Sequence, residues 1–121
     1  MPIRKILIVD DSPTERQALG ELLIRRGYQV VFAETGDEGV EKATAESPDL
    51  ILMDVVMPGT SGYAATRQIT RGESTRNIPV IMCTSRAQET DKIWGMRQGA
   101  FAYMTKPIDH QQLLAKIATL G

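Results

Sequence analysis

The sequence predicts an α/β domain, a single doubly wound (βα)5 unit with a five-stranded parallel sheet and helices on both faces. Three observations lead there. Short apolar runs of strand length recur five times, each followed by a longer stretch with helical character. The central runs are continuously apolar rather than alternating, as in strands covered on both faces. Strict βα alternation implies parallel strands joined by crossover helices.

Taken in order, the first strand is expected over residues 5–10, where Ile6-Leu7-Ile8-Val9 runs into Asp10 and Asp11. The first helix follows over 13–26. Ser12 is a good N-cap, Pro13 suits the first helical position, and Glu15 completes an S-x-x-E capping box. Leu19, Leu22 and Leu23 share a face, and Gly27 stops the helix. The second strand is expected over 29–33 and its helix over 37–46, with Asp37 and Glu38 favourably placed in the first turn. Pro48-Asp49 leads into a third strand over 49–54, in which Leu50-Ile51-Leu52-Met53 ends on Asp54. A helix over 62–70 precedes the fourth strand, 79–84, in which Val80-Ile81-Met82-Cys83 ends on the hydroxyls of Thr84 and Ser85. The fourth helix, about 89–98, is the weak one. Gly95 costs it about 1 kcal/mol relative to Ala, so a short, frayed or mobile helix is expected. The fifth strand, 101–105, ends on Lys106, and the last helix, 109–120, carries the stripe Leu113, Leu114 and Ile117.

Size and composition exclude several classes. At 121 residues the chain suits one compact domain, 1–121, with no output domain expected. Apolar content of 42% and charged content of 24% are ordinary for a globular protein, and the net charge is −1. No basic block is present to grip nucleic acid phosphates. No apolar run approaches the roughly 18 residues of a membrane span, so no membrane insertion is expected. The N-terminus has no signal-peptide pattern. Cys83 is the only cysteine, so no internal disulfide can form. These absences point to a cytoplasmic protein.

In an open parallel sheet, ligands bind beyond the carboxyl ends of the strands. Asp10, Asp11, Asp54, Thr84 and Lys106 all stand there, so acids, a hydroxyl and an amine should meet at one sheet edge. Clustered carboxylates repel. A hard divalent cation such as Mg²⁺ balances them through oxygen ligands.

The order Asp10-Asp11, Asp54-Val55-Val56-Met57-Pro58-Gly59, Thr84-Ser85 and Tyr103-Met104-Thr105-Lys106-Pro107 resembles the receiver domain of bacterial response regulators, with CheY-like single-domain members nearest in size. The resemblance covers the chain from Lys5 to the last helix. It implies the flavodoxin-like strand order 2-1-3-4-5. It also implies a phosphoacceptor signalling protein, not an enzyme, that assists its own phosphorylation and dephosphorylation. Asp54 would take a phosphoryl group from a phosphohistidine of a sensor kinase, as a carboxylate nucleophile. Asp11, Asp54 and the backbone carbonyl of Val56 would hold Mg²⁺ directly, and Asp10 through a bound water. Lys106 would pair with Asp54 and then with a phosphoryl oxygen. Thr84 would donate to another phosphoryl oxygen and, by moving, free space for Tyr103 to fill. The face of helix four, strand five and helix five would then change shape for a protein target. Ser85, Val56 and Arg86 would tune access and lifetime. A cis Lys106-Pro107 bond is implied, and the protein is expected to be monomeric.

The segments Asp10 to Glu15 and Gln88 to Ala100 resemble receivers of the twitching-motility, PilH-like kind. The same style could serve chemotaxis-type pathways built on a CheA-like kinase. A phosphate sink, draining a shared kinase without an output target, would carry the same residues. Other chemistries on this fold fit worse. An FMN site would need a Ser/Thr/Gly-rich loop where two acids stand, and a dinucleotide site needs G-x-G-x-x-G, which is missing. A dehalogenase-like phosphatase would want D-x-D where Asp10-Asp11-Ser12 stands. A metal-free interaction module would be expected to lack a site residue. Outside the site, Trp94 reads as a partner contact, His110 as a solvated residue in the last helix, and Cys83 as a small buried apolar residue.

Overall fold

A computed structural model describes residues 2–121 of the chain. Five strands alternate with five helices: β1 (Lys5–Val9), α1 (Pro13–Arg25), β2 (Gln29–Ala33), α2 (Gly36–Glu46), β3 (Leu50–Met53), α3 (Gly62–Arg71), β4 (Val80–Thr84), α4 (Glu89–Arg97), β5 (Ala102–Thr105) and α5 (His110–Ala118). All pairings are parallel, in the order β2-β1-β3-β4-β5. This is the doubly wound architecture and strand order expected from the sequence.

The strands supply both core layers. Ile6 and Ile8 of β1 point to one face, where they pack with Leu50, Leu52, Leu19 and Leu23 of α1, and Leu113 and Ile117 of α5. Leu7 and Val9 point to the other, with Ile51, Met53, Ala43 of α2, and Ala65 and Ile69 of α3. Side chains alternate across the sheet, yet both sets are buried, which is why the sequence shows unbroken apolar runs. No helix among the described residues is long and apolar enough to cross a membrane.

Several boundaries move by a residue for identifiable reasons. Asp49 lies before β3 because its carboxylate accepts from the backbone N–H of Arg4 (3.0 Å) and Lys5 (2.9 Å), stapling the start of β1. Asp109 is the N-cap of α5 and accepts from Gln112 N–H at 3.0 Å, so the helix starts at His110. Thr35 caps α2 in the same way through Glu38 N–H. Gly27 ends α1 with φ of +91°, a conformation that favours glycine.

Two local expectations need correcting. Ser12 does cap α1 by accepting from Glu15 N–H at 3.3 Å, but no capping box closes. The Ser12 N–H donates to Asp10 Oδ1 at 2.9 Å, and the Glu15 carboxylate turns to Lys106 instead. Gly95 is not merely a weak point in α4. A β-carbon there would lie 2.7 Å from Met82 Sδ and 2.8 Å from the Tyr103 ring. It is the one buried position of the nine-residue helix, and its missing side chain lets α4 close onto β4 and β5.

Candidate functional site

The carboxyl ends of β1, β3, β4 and β5 converge on one edge. Backbone bonds continue the sheet one residue past the strands and place the site residues there. Asp54 N–H donates to Val9 carbonyl at 2.9 Å, and Lys106 N–H to Thr84 carbonyl at 2.8 Å. Asp10 and Asp54 therefore stand just beyond the strands, not as their last residues. Behind Asp54, Gly62 N–H donates to the Val55 carbonyl at 3.0 Å, and a β-carbon on Gly62 would fall 1.9 Å from the Asp54 carbonyl oxygen. Only glycine lets the start of α3 approach the acid-bearing turn so closely.

Lys106 is the centre of the site. Its Nζ donates to Asp10 Oδ2 at 3.0 Å, Asp54 Oδ2 at 3.3 Å and Glu15 Oε2 at 2.7 Å. The Lys106-Pro107 peptide is cis. The second oxygen of Asp54 accepts from Val55 N–H at 2.7 Å, and that of Asp10 from Ser12 N–H. Both aspartates are buried, at 7% and 3% exposure, so each carboxylate depends on these few donors. Burial raises the pKa of Asp54; the Lys106 charge opposes that and the Asp10 charge adds to it, leaving it above the ordinary carboxylate value. Burial alone would depress Lys106. Its bonds to Glu15 and Asp10 and the charges of Asp54 and Asp10 outweigh that and hold it above its ordinary value.

The donor set suits a hard cation. One carboxylate oxygen each from Asp10, Glu15 and Asp54 lies within 4.8 Å of the others. All are oxygen ligands, the kind that a hard divalent cation prefers. Asp11 is exposed on the same turn and stands outside that cluster.

Thr84 is completely buried, and its Oγ1 accepts from Arg86 N–H at 3.3 Å. Ser85 and Val56 are exposed, Val56 at 55%. Arg86 is turned to α4: its Nε donates to Asp91 Oδ1 at 3.1 Å. The Asp91 carboxylate thus holds the guanidinium in this conformation. Tyr103 Oη donates to the Arg86 carbonyl at 2.8 Å, and its ring packs with Val55, Met82, Ala100 and Tyr63. Burial raises its pKa first, and the bond to Tyr63 second. Cys83, almost wholly buried, has its thiol pushed up to about 12 by burial, in keeping with an inert apolar role.

Sequence reasoning missed three contributors. Glu15 fits the capping pattern, Gly62 the start of a helix, and Tyr63 carries no local signal. Tyr63 Oη donates to the Asp91 carbonyl at 3.2 Å and lies 3.4 Å from Tyr103 Oη.

A groove of about 600 Å³ runs along α4, β5 and α5, lined by Lys92, Tyr103, Thr105, Gln112 and Lys116 among others. Nearby, Ile93, Trp94, Met96 and Phe101 are each more than 40% exposed.

Comparison with known proteins agrees with this geometry. The family described as "Response regulator receiver domain" matches residues 6–118. Protein PilH of Pseudomonas aeruginosa is 55% identical over 113 residues, 93% of each chain. The phosphate regulon transcriptional regulatory protein PhoB of Escherichia coli is 40% identical over 114 residues, of which this chain spans half the length. Among solved structures, the chemotaxis protein CheY4 of Vibrio cholerae superposes with a TM-score of 0.91 at 29% identity, covering 98% of this chain and 99% of that one.

Proposed function

Because this chain belongs to the response regulator receiver domain family, we propose that it accepts a phosphoryl group on Asp54 from a phosphohistidine of a sensor kinase. In this step an Asp54 carboxylate oxygen bonds to phosphorus, the P–N bond of the donor breaks, and the imidazole keeps the electron pair. The observation that carries the reading is the Lys106 ammonium, shared between Asp10 and Asp54 beside the buried Thr84. A fixed cation beside Asp54 would neutralise the charge that phosphoryl oxygens gain. Phosphoryl transfer needs mainly such positioning and charge neutralisation.

Asp10, Asp11, Asp54 and the Val56 carbonyl would hold Mg²⁺, with the exposed Asp11 turning toward the cluster that it stands outside in this conformation, and the ion would supply further neutralisation for phosphoryl oxygens. The residues' own parts are distinct. Asp54 is the nucleophile, Lys106 grips an oxygen, and the Thr84 hydroxyl can leave Arg86 N–H to donate to another. Tyr103 reports the change, since its hydroxyl bonds the Arg86 carbonyl in the same segment. The output is contact with a protein target on the groove of α4, β5 and α5. The likeness to PilH supports a type IV pilus or taxis pathway, with a histidine kinase or CheA-like protein as phosphodonor.

The test is intact mass after incubation with acetyl phosphate, with and without Mg²⁺, on wild type and Asp54→Asn. Mg²⁺-dependent gain of one phosphoryl group, absent from the variant, supports the reading. No gain from acetyl phosphate or from a phosphorylated kinase defeats it.

A further inference from the structure

We propose that Glu15 is a positioning residue for phosphoryl transfer: its carboxylate holds the Lys106 ammonium in the unphosphorylated protein and must release it when a phosphoryl group arrives on Asp54. The inference rests on the phosphoacceptor reading above and deepens it.

The argument begins with donor count. An ammonium has three N–H donors. Asp10, Glu15 and Asp54 take one each, so a phosphoryl oxygen finds none free. One acceptor must leave. The three are not equivalent. Asp10 and Asp54 have side-chain exposures of 4% and 9%, and each is also fixed by a backbone N–H. Glu15 has a side-chain exposure of 47%, and Lys106 is the only donor to its carboxylate among the described residues. Water can replace Lys106 at Glu15 with little loss, whereas a displaced Asp10 would be stranded in a buried place, and Asp54 gives up its charge only once its oxygen has bonded to phosphorus. Glu15 therefore yields first.

It is also the tightest of the three holds, at 2.7 Å against 3.0 and 3.3 Å. The unmodified state thus keeps Lys106 drawn toward α1 and only loosely on the nucleophile. Release requires side-chain rotation alone, because the Glu15 backbone stays fixed through Ser12. Once freed, the carboxylate remains a rival for the ammonium and a negative charge beside the incoming phosphoryl group. Both effects bias the equilibrium toward the unmodified state.

The experiment compares wild type, Glu15→Gln and Glu15→Asp in three measurements. These are the rate of Asp54 labelling by acetyl phosphate with Mg²⁺, the affinity for beryllofluoride, and the affinity for Mg²⁺ alone. Glu15→Gln is expected to label faster and bind beryllofluoride more tightly, each by about fivefold, as for loss of one half-exposed ion pair. Glu15→Asp keeps the charge but shortens the reach, and is expected to fall between wild type and Glu15→Gln. Labelling of Glu15→Gln at or below the wild-type rate overturns the proposal. So does Glu15→Asp behaving as wild type, which would leave only a through-space charge. A fall in Mg²⁺ affinity of about tenfold or more in Glu15→Gln also overturns it, since that marks a metal ligand. A wild type that takes no phosphoryl group overturns the phosphoacceptor reading and this proposal together. A labelled wild type with an indifferent Glu15→Gln overturns the proposal alone.

Discussion

Gly62 sits so close to Asp54 that a single added methyl group would overlap the Asp54 carbonyl oxygen, at 1.9 Å. The contact joins the first turn of α3 to the turn that carries the acid. Gly62→Ala must push the two apart, and overpacking against backbone has no flexible side chain to absorb it. A loss of about 2–3 kcal/mol is expected, read by urea unfolding. Unchanged stability would mean that α3 can shift freely, and the positioning argument for Asp54 would fail.

Asp54→Asn is expected to raise stability at neutral pH while removing phosphoacceptor activity. The folded pKa of Asp54 lies above the ordinary carboxylate value, chiefly through burial. Such a carboxyl binds its proton more tightly in the folded state. Its contribution to stability is therefore most favourable below the unfolded pKa and declines as pH rises through the folded one. Asparagine escapes that decline. The melting temperature of the variant should exceed that of wild type at pH 7, with the gap closing toward pH 4. A lower melting temperature at pH 7 would contradict the assigned balance of burial over Lys106.

Lys106→Met should have the opposite effect on stability. The ammonium's raised pKa means its own titration takes nothing from its stabilising contribution below its ordinary 10.5, so the contribution lasts as long as its partner carboxylates stay ionised. Without it Asp10 and Asp54 remain buried beside each other with their shared donor gone. A cost of about 2–3 kcal/mol at pH 7 is expected, shrinking in acid as the carboxylates take up protons. A pH-independent cost would point to lost packing of the lysine stem instead.

Gly95→Ala separates helix propensity from packing. Alanine would favour an isolated helix by about 1 kcal/mol. Here the methyl group meets Met82 Sδ and the Tyr103 ring at 2.7 and 2.8 Å. Net destabilisation by about 1–2 kcal/mol is expected, with altered fluorescence of Trp94 next to it in α4. A more stable variant would show that Met82 and Tyr103 give way easily.

Much of this architecture is written locally. Four apolar residues between turn signals define β1 and β3, and acids at their ends announce the reactive edge. What sequence reading could not reach are pairings between distant segments whose residues also have an adequate local explanation. Glu15 satisfies the spacing of a capping box, so nothing local points to a partner 91 residues away. Gly95 reads as a helix defect until Met82 and Tyr103 are seen against it. Arg86 lies near the site in sequence, but Asp91 claims its guanidinium. The boundary shifts at Asp49 and Asp109 have the same origin, since side chains take backbone donors that pattern alone assigns to the element.

The position of β5 has a thermodynamic consequence. It is an edge strand, hydrogen-bonded to β4 alone, and it leads directly into the residue that unites the acids. Elements with few buried contacts open locally at lower free energy than core strands, and β5 has one buried residue where every residue of β3 is buried. Each such opening would withdraw the ammonium from Asp10 and Asp54, so the proposed phosphoacceptor would lose its cation before the sheet is lost. Linkage makes the relation reciprocal: any anion on Asp54 that Lys106 grips must make β5 harder to open. Amide hydrogen exchange in β5, far more than in β1 or β3, would then serve as a gauge of the chemical state of Asp54.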